Sequence, residues 1–397
     1  MASKLAAHYS RFRVSERLLL TGHSHQAWPD VAFPAQQQAW LDAADLVDEK
    51  WGRAAEIAAR VQAHWKRLLG DRDGGIALGQ NTHELVTRFL SSLPLARRRR
   101  LVTTDGEFHT IRRQLDRLAE EGFEVVKVPA RPADSLAGRL TRVVDDRVAC
   151  VLTSTVLYET AERVPALDEL ARECGRRGVP LLLDAYHHVN VVPFDLHAMH
   201  AEDCFIVGGG YKYCQLGEGN CFLRVPPGCR MRPVLTGWFA EFAELEHSGA
   251  RGRVEYGSGA AAFAGATYDP TAHYRAAAVF DFHVAQGLTP ERLRDISRHQ
   301  VGLLKDTFEA LDADPAVARV ESIADESRAG FLAIRAPRAG ELSRALREAD
   351  VLTDFRGEYL RLGPAPYLSD AQLTDAVARL GACIRRETEA HQPPERH

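Results

Sequence analysis

The chain is 397 residues long, about two to three times the usual single-domain length, so two lobes within one chain are expected. With 45% hydrophobic and 26% charged residues it has ordinary globular usage, which excludes a disordered, collagenous or fibrous protein. Fifty basic against 54 acidic residues give a formal charge of −4, without the basic excess of a general nucleic-acid binder.

In chain order, residues 1–45 read as an N-terminal segment packing with a small domain. No apolar run nears roughly 18 residues, and Leu18-Leu19-Leu20 is too short for a secretory signal, so no membrane span and a cytoplasmic address are expected. Residues 46–285 read as a large α/β domain, because amphipathic helices alternate with short apolar runs. The runs predict seven strands of a mostly parallel sheet: 75–79, 101–104, 124–128, 149–154, 180–184, 204–208 and 220–225. Val86, Phe89, Leu90 and Leu93 repeat at helical spacing, as do Leu167, Leu170, Ala171 and Cys174. The run Arg97 to Arg100 follows a helix end at Pro94 and predicts a solvated loop. Residues 286–390 read as a smaller α+β domain. It has a long helix after Thr289-Pro290, strands at 330–335 and 359–362 with a helix between, and a last helix opened by a Ser369-x-x-Gln372 capping box. Residues 391–397 predict a flexible tail. The seven cysteines include no C-x-x-C pair, so neither a disulfide framework nor a metal site is expected.

Three segments carry chemistry. Lys212 lies between Tyr211 and Tyr213, just after a buried strand and among glycines. It reads either as a Schiff-base lysine with a lowered pKa or as a surface lysine in a glycine-rich loop. Asp184 ends a buried strand, where open α/β sheets bind ligands and where a carboxylate can pair with a protonated pyridine nitrogen. His187 follows it by three positions. Asn81 and Thr82 start the helix after the first strand, and the free N–H groups of a helix start suit a phosphate.

The order of these strings resembles the fold-type I pyridoxal-phosphate enzymes of the class V aminotransferase group, and within it the kynureninases. Tyr211-Lys212-Tyr213 is similar to the kynureninase lysine motif, and Asp184-x-x-His187 with the later Pro193-Phe194-Asp195-Leu196 to its aspartate segment. Gly237-Trp238-Phe239 and the stretch from Leu360-Arg361 to Tyr367 resemble two further family motifs. The resemblance implies a fold-type I pyridoxal-phosphate transferase fold, with pyridoxal 5'-phosphate as cofactor and a small amino acid as substrate. It gives Lys212 the Schiff base, Asp184 the pyridine nitrogen with His187 beside it, and Asn81, Thr82 and Tyr211 the phosphate. Phe108 would stack on the ring and Ser154 would touch the cofactor. Trp238 and Thr267 would reach the phosphate from a second subunit, implying a homodimer with the active site at the subunit interface. Arg361 would clamp the substrate carboxylate, a role suited to a planar bidentate guanidinium.

The chain departs from the family pattern in several places. Phe108-His109-Thr110-Ile111 stands where kynureninases have Phe-Pro-Ser/Thr-Asp, which removes a cofactor-contacting carboxylate. Gly210 replaces a serine or threonine, and Thr21-Gly-His-Ser-His25 replaces Gly-Asn-Ser-Leu-Gly in a segment that walls the substrate pocket. The expected activity is kynureninase-like hydrolysis of a Cβ–Cγ bond, releasing alanine and an aryl acid. The alternatives are a lyase, desulfurase or aminotransferase acting on another amino acid, with Cys214 and Cys221 the features that suggest a desulfurase, and a non-catalytic relative.

Overall fold

The structure, a computed structural model, describes residues 4–244 and 252–390; the tail expected at 391–397 lies outside the described residues. Two 3-10 helical segments, Lys4–Phe12 and Val14–Glu16, precede β1 (Leu18–Leu19), which is followed by α1 (Ala32–Leu46) and α2 (Lys50–Leu69). The large lobe then alternates β2 (Gly75–Gly79), α3 (Thr82–Ser91), β3 (Arg100–Thr104), α4 (His109–Glu120), β4 (Glu124–Val128), α5 (Leu136–Val143), β5 (Val148–Ser154), α6 (Leu167–Arg177), β6 (Leu181–Asp184), β7 (Phe205–Gly209) and β8 (Cys221–Val225). These strands form one seven-stranded sheet in the order β2-β8-β7-β6-β5-β3-β4. All its pairings are parallel except the two made by β8. Every residue of β5, β7 and β8 is buried, as a sheet covered on both faces requires. One apolar core, with Trp65, Leu136, Ile206 and Phe280, covers one face, and a second, with Leu85, Phe89, Leu152 and Phe205, covers the other.

After α7 (Thr271–Ala285), the remainder is α8 (Pro290–Glu309), β9 (Arg319–Val320), β10 (Leu332–Arg335), α9 (Ala339–Glu348), β11 (Val351–Leu352), β12 (Asp354–Arg356), β13 (Tyr359–Leu362) and α10 (Asp370–Ala390). Thr289 caps α8 by accepting from Arg292 N, and the Ser369–Gln372 box opens α10. A four-stranded antiparallel sheet, β12-β13-β10-β9, packs under α8–α10. The N-terminal segment joins this lobe: β1 pairs in parallel with β11, Thr21 bridges to Gly363, and Tyr9, Leu18 and Leu20 enter its apolar core.

The arginine run is a loop through Arg99, with Arg97 and Arg99 exposed as expected, and departs from that expectation only at its last member. Arg100 opens β3 and pairs with Asp145 and Glu124, while Arg98 and Arg99 donate to the carbonyls of Val148 and Glu121. The start of β5, the end of α4 and two carboxylates supply partners there that sequence alone does not place. Among the described residues no helix is long and apolar enough to cross a membrane.

Candidate active site

Because β3, β5, β6 and β7 are parallel, their carboxyl ends share one edge of the sheet. A cavity of about 250 Å³ opens there, near the lower bound of about 300 Å³ usual for small-ligand sites. Asn81, Thr82, Phe108, Ser154, Asp184, His187, Tyr211 and Lys212, eight of the sequence-identified residues, all line it.

Lys212 follows β7 in a tight loop that folds back so that Leu216 N donates to Gly210 O at 2.9 Å. A Cβ at Gly210 would lie 2.5 Å from the Leu216 side chain, so the loop closes over this position only with glycine, which accounts for the missing serine or threonine. Gln215 ties the loop down: it accepts from Tyr9 Oη at 2.6 Å and donates to Gln26 Oε1 at 2.8 Å. Lys212 is therefore not a surface lysine; it is 5% exposed. Its Nζ lies 2.8 Å from His187 Nε2 and 4.6, 5.3 and 5.6 Å from the ring centres of Tyr186, Phe108 and Tyr211. Burial pushes its pKa down to about 7, helped by the charges of Arg361 and Arg356 and opposed by Asp184. His187 is held neutral by burial and by the neighbouring Lys212 charge, and its Nδ1 is buried without a hydrogen-bond partner among the described residues.

Asp184 stands beside Ser154 in the β5–β6 register and is half-buried at the cavity. Its carboxylate receives one hydrogen bond among the described residues, from Tyr186 N at 2.9 Å. Burial raises its pKa, and the Tyr186 N–H and the Lys212 charge pull it back. A half-buried carboxylate so thinly bonded, facing the cavity, has room for a further donor.

A second carboxylate, missed by the sequence reading, lies close by. Glu107 is 2% exposed; it accepts from Thr104 Oγ1 at 2.7 Å and Ser154 N at 3.1 Å on one oxygen, and from Ser154 Oγ at 2.6 Å on the other. Burial pushes it up to about 7, and the Asp184 charge adds to the rise against the pull of its hydrogen bonds. Its sequence signal was an acid immediately before the expected stacking phenylalanine. Ser154, expected to touch a cofactor, thus spends its hydroxyl on Glu107.

Asn81 caps α3, accepting from Glu84 N at 2.9 Å, so the first turn of that helix faces the cavity. The remaining site residues lie elsewhere. Trp238 and Thr267 do not line this cavity; Trp238 Nε1 donates to Thr267 Oγ1 at 3.2 Å. Arg361 is buried on β13, outside the lining, with Asp354 across its guanidinium. From the N-terminal segment, the His25 ring stacks on Tyr211 at 4.9 Å, and its Nε2 lies 3.7 Å from Glu218 at the cavity wall. Cys214 and Cys221 are buried and their thiol pKa values are pushed up, so neither is an activated thiolate.

The family description of the kynureninase C-terminal domain matches residues 293–380. A Bacillus cereus kynureninase is 26% identical over 246 residues, covering 60% of this chain and 56% of its own length. A cysteine desulfurase of Azotobacter chroococcum mcd 1 is 28% identical over 198 residues, covering 45% of this chain and 50% of its own. The chain thus spans little more than half the length of these curated relatives. Among solved structures, a mutant of C-DES with glycine covalently linked to its pyridoxal-phosphate cofactor superposes with a TM-score of 0.79 at 15% identity, over 94% of this chain and 98% of that one. The cysteine desulfurase of Thermococcus onnurineus NA1 gives 0.78 at 14% identity, over 97% and 100%. The chain has the fold-type I transferase fold, and its sequence is kynureninase-like.

Proposed function

We propose that the cavity holds pyridoxal 5'-phosphate and that the protein is a kynureninase-like hydrolase, converting L-kynurenine or a related amino acid and water into alanine and an aryl acid. The carrying observation is Lys212: a buried amine against His187 and three aromatic rings, in the same cavity as an under-bonded aspartate. The donor set fits the cofactor. Asp184 lacks the hydrogen-bond donor that a protonated pyridine nitrogen provides, and the first turn of α3 offers N–H groups to a phosphate.

When bound, pyridoxal phosphate supplies an electron sink for charge developing at the substrate α-carbon. The chain's own groups do the rest. Lys212, with a pKa near 7, is neutral often enough to be a nucleophile and returns to the ammonium when it takes a proton, the range in which a general base works best. His187 Nε2 orients Nζ. Asp184 would hold a proton on the ring nitrogen, Phe108 would face the ring, and Asn81, Thr82 and Tyr211 would hold the phosphate. Arg361 receives the substrate carboxylate. A second copy of the chain completes the site: Trp238 and Thr267 lie away from their own cavity, and Val234, Leu235, Trp238 and Phe242 expose an apolar patch. We place the enzyme in the cytoplasm, where reduced thiols match its free cysteines.

The test is to load the protein with pyridoxal phosphate, add L-kynurenine, and follow anthranilate fluorescence. Lys212→Ala should abolish the visible absorption of the bound cofactor and lower turnover by about 10²–10⁴-fold or more. Unchanged absorption and turnover in that variant would refute the assignment. The likeness to desulfurase and C-DES structures favours a second reading, a lyase on another amino acid. Release of pyruvate from cysteine or cystine, without anthranilate from kynurenine, would select it. The buried thiols of Cys214 and Cys221 argue against desulfuration.

A further inference from the structure

A line of three side chains joins the N-terminal segment to the small lobe. Asp354 stands opposite Arg361 in the β12–β13 pairing. Arg361 Nε donates to Asp354 Oδ1 at 2.9 Å, Nη2 donates to Oδ2 at 2.6 Å, and Nη1 donates to Tyr158 O at 2.6 Å. A guanidinium has five N–H donors, so these bonds leave one on each terminal nitrogen. His23 Nε2 lies 2.7 Å from the same Oδ1 that accepts from Arg361 Nε. Burial pushes His23 down to about 4, with the Arg361 charge acting in the same direction, so the imidazole is neutral and donates its Nε2 proton. For Asp354, burial alone would raise the pKa, but the hydrogen bond from His23 and the hydrogen bonds and charge of Arg361 outweigh it and hold the carboxyl well below the usual range.

The packing fixes this line in place. The His23 ring lies 4.6 Å from Phe331, and the same phenylalanine carries the Arg361 guanidinium at 5.6 Å and the His187 ring at 6.0 Å. A Cβ at Gly363 would lie 2.1 Å from His23 Nδ1 and 2.6 Å from His23 N, so His23 enters only because residue 363 is glycine. Arg356, on the same strand as Asp354 and 38% exposed, lies 3.8 Å from its Oδ2.

We propose that His23 and Asp354 are positioning residues: they hold Arg361 by its Nε edge and leave its two remaining N–H donors to receive the carboxylate of the substrate amino acid. The inference rests on the amino-acid reading of the site. An unheld arginine surrenders its rotamer freedom when it grips a ligand, whereas one already clamped by a neighbouring strand does not. Because Asp354 belongs to the paired strand and is itself bonded by His23, it stays with Arg361 when the substrate binds. The grip on the substrate is thereby coupled to the docking of residues 18–23 on the small lobe.

The experiment titrates the cofactor-loaded protein with L-alanine and with ethylamine, which share an amine and differ in the carboxylate, following the visible absorption of the bound cofactor. Asp354→Asn should weaken L-alanine about 10- to 30-fold, the size of the rotamer freedom regained by Arg361, and leave ethylamine within about twofold. His23→Gln, which keeps a side-chain donor, should shift L-alanine in the same direction by less, and it carries the test alone if Asp354→Asn does not fold. Equal weakening of both ligands, or unchanged L-alanine binding in both variants, overturns the proposal while the amino-acid reading stands. A wild-type protein whose absorption responds to neither ligand overturns that reading and the proposal with it.

Discussion

The cavity around Lys212 and the clamp around Arg361 are both buried, charged and built at strand ends, yet they treat charge in opposite ways. In the clamp every charge is matched: a bidentate arginine–aspartate pair, a neutral histidine donating to the same carboxylate, and a backbone carbonyl on the third nitrogen. In the cavity the charges are under-matched: Lys212 faces a neutral imidazole and rings, Asp184 has one hydrogen bond, and Glu107 shares the region with Asp184. Matched charges hold geometry, whereas under-matched ones hold proton affinities near neutrality, where catalysis uses them. The difference makes the two regions respond oppositely to mutation and to pH.

The largest contrast is expected from Lys212→Met in the apo-protein. The folded pKa of Lys212 is depressed to about 7 from 10.5. Relative stability is therefore full above the unfolded value and is lost as pH falls from 10.5 through 7, because the unfolded chain takes up the proton first. At neutral pH the deficit is on the order of 4–5 kcal/mol. Methionine fills the space without a charge, so the variant should be more stable than wild type by up to that amount at pH 7, with the gap closing towards pH 10.5. Urea unfolding across that range checks it; a variant less stable at every pH would show that Lys212 is matched after all.

Glu107→Gln should give a smaller effect of opposite pH sense. Its folded pKa is raised to about 7 from 4.5, so its contribution is full below 4.5 and is lost as pH rises through 7. Above that, wild type should stand roughly 3 kcal/mol below the variant, relative to their difference at acid pH. A flat difference between the two unfolding curves would place Glu107 among the matched groups.

The seven-strand sheet was legible because buried strands such as Val148–Ser154 are continuous apolar runs, and the residues at their ends, Ser154 and Asp184, come with them. The two- and three-residue strands β1, β9, β11 and β12 were not, since so short a segment shows no period. Asp354 was invisible for that reason and because its partner His23 is 331 positions away in the chain. Glu107 was passed over because a carboxylate's burial depends on the strands around it. The family carboxylate absent after Phe108 is legible from the motif, whereas the acid before it is not.

Asp354→Ala, the counterpart in the clamp, should destabilise the fold by about 3 kcal/mol, the lower end for a broken buried pair because Asp354 is itself partly exposed, since Arg361 is left buried without its carboxylate. The distinguishing feature is its pH profile. Asp354 has a depressed pKa, so its contribution is present above the unfolded value of 3.8 and is lost only as pH falls below it. The wild-type-minus-variant difference should therefore be flat above about pH 5, where the two cavity variants slope in opposite directions. A slope near pH 7 would mean that His23 titrates with the pair and that the clamp is less fully matched than its geometry indicates.

Asn81→Ala should have the smallest effect on stability and separates local order from charge. Asn81 Oδ1 accepts from Glu84 N at 2.9 Å, while Asn81 Nδ2 donates back to Glu84 Oε1 at 3.1 Å, so the two residues cap α3 reciprocally. Losing such a cap costs about 1 kcal/mol, with no pH dependence near neutrality. If the first turn of α3 holds the cofactor phosphate, fraying it should also weaken pyridoxal phosphate by more than it weakens pyridoxal, which lacks the phosphate. Asn81→Ser, which restores an N-cap acceptor, should recover both stability and the preference for the phosphorylated form. Recovery of stability without that preference would mean that the Asn81 side chain itself, and not the helix end it caps, makes the phosphate contact.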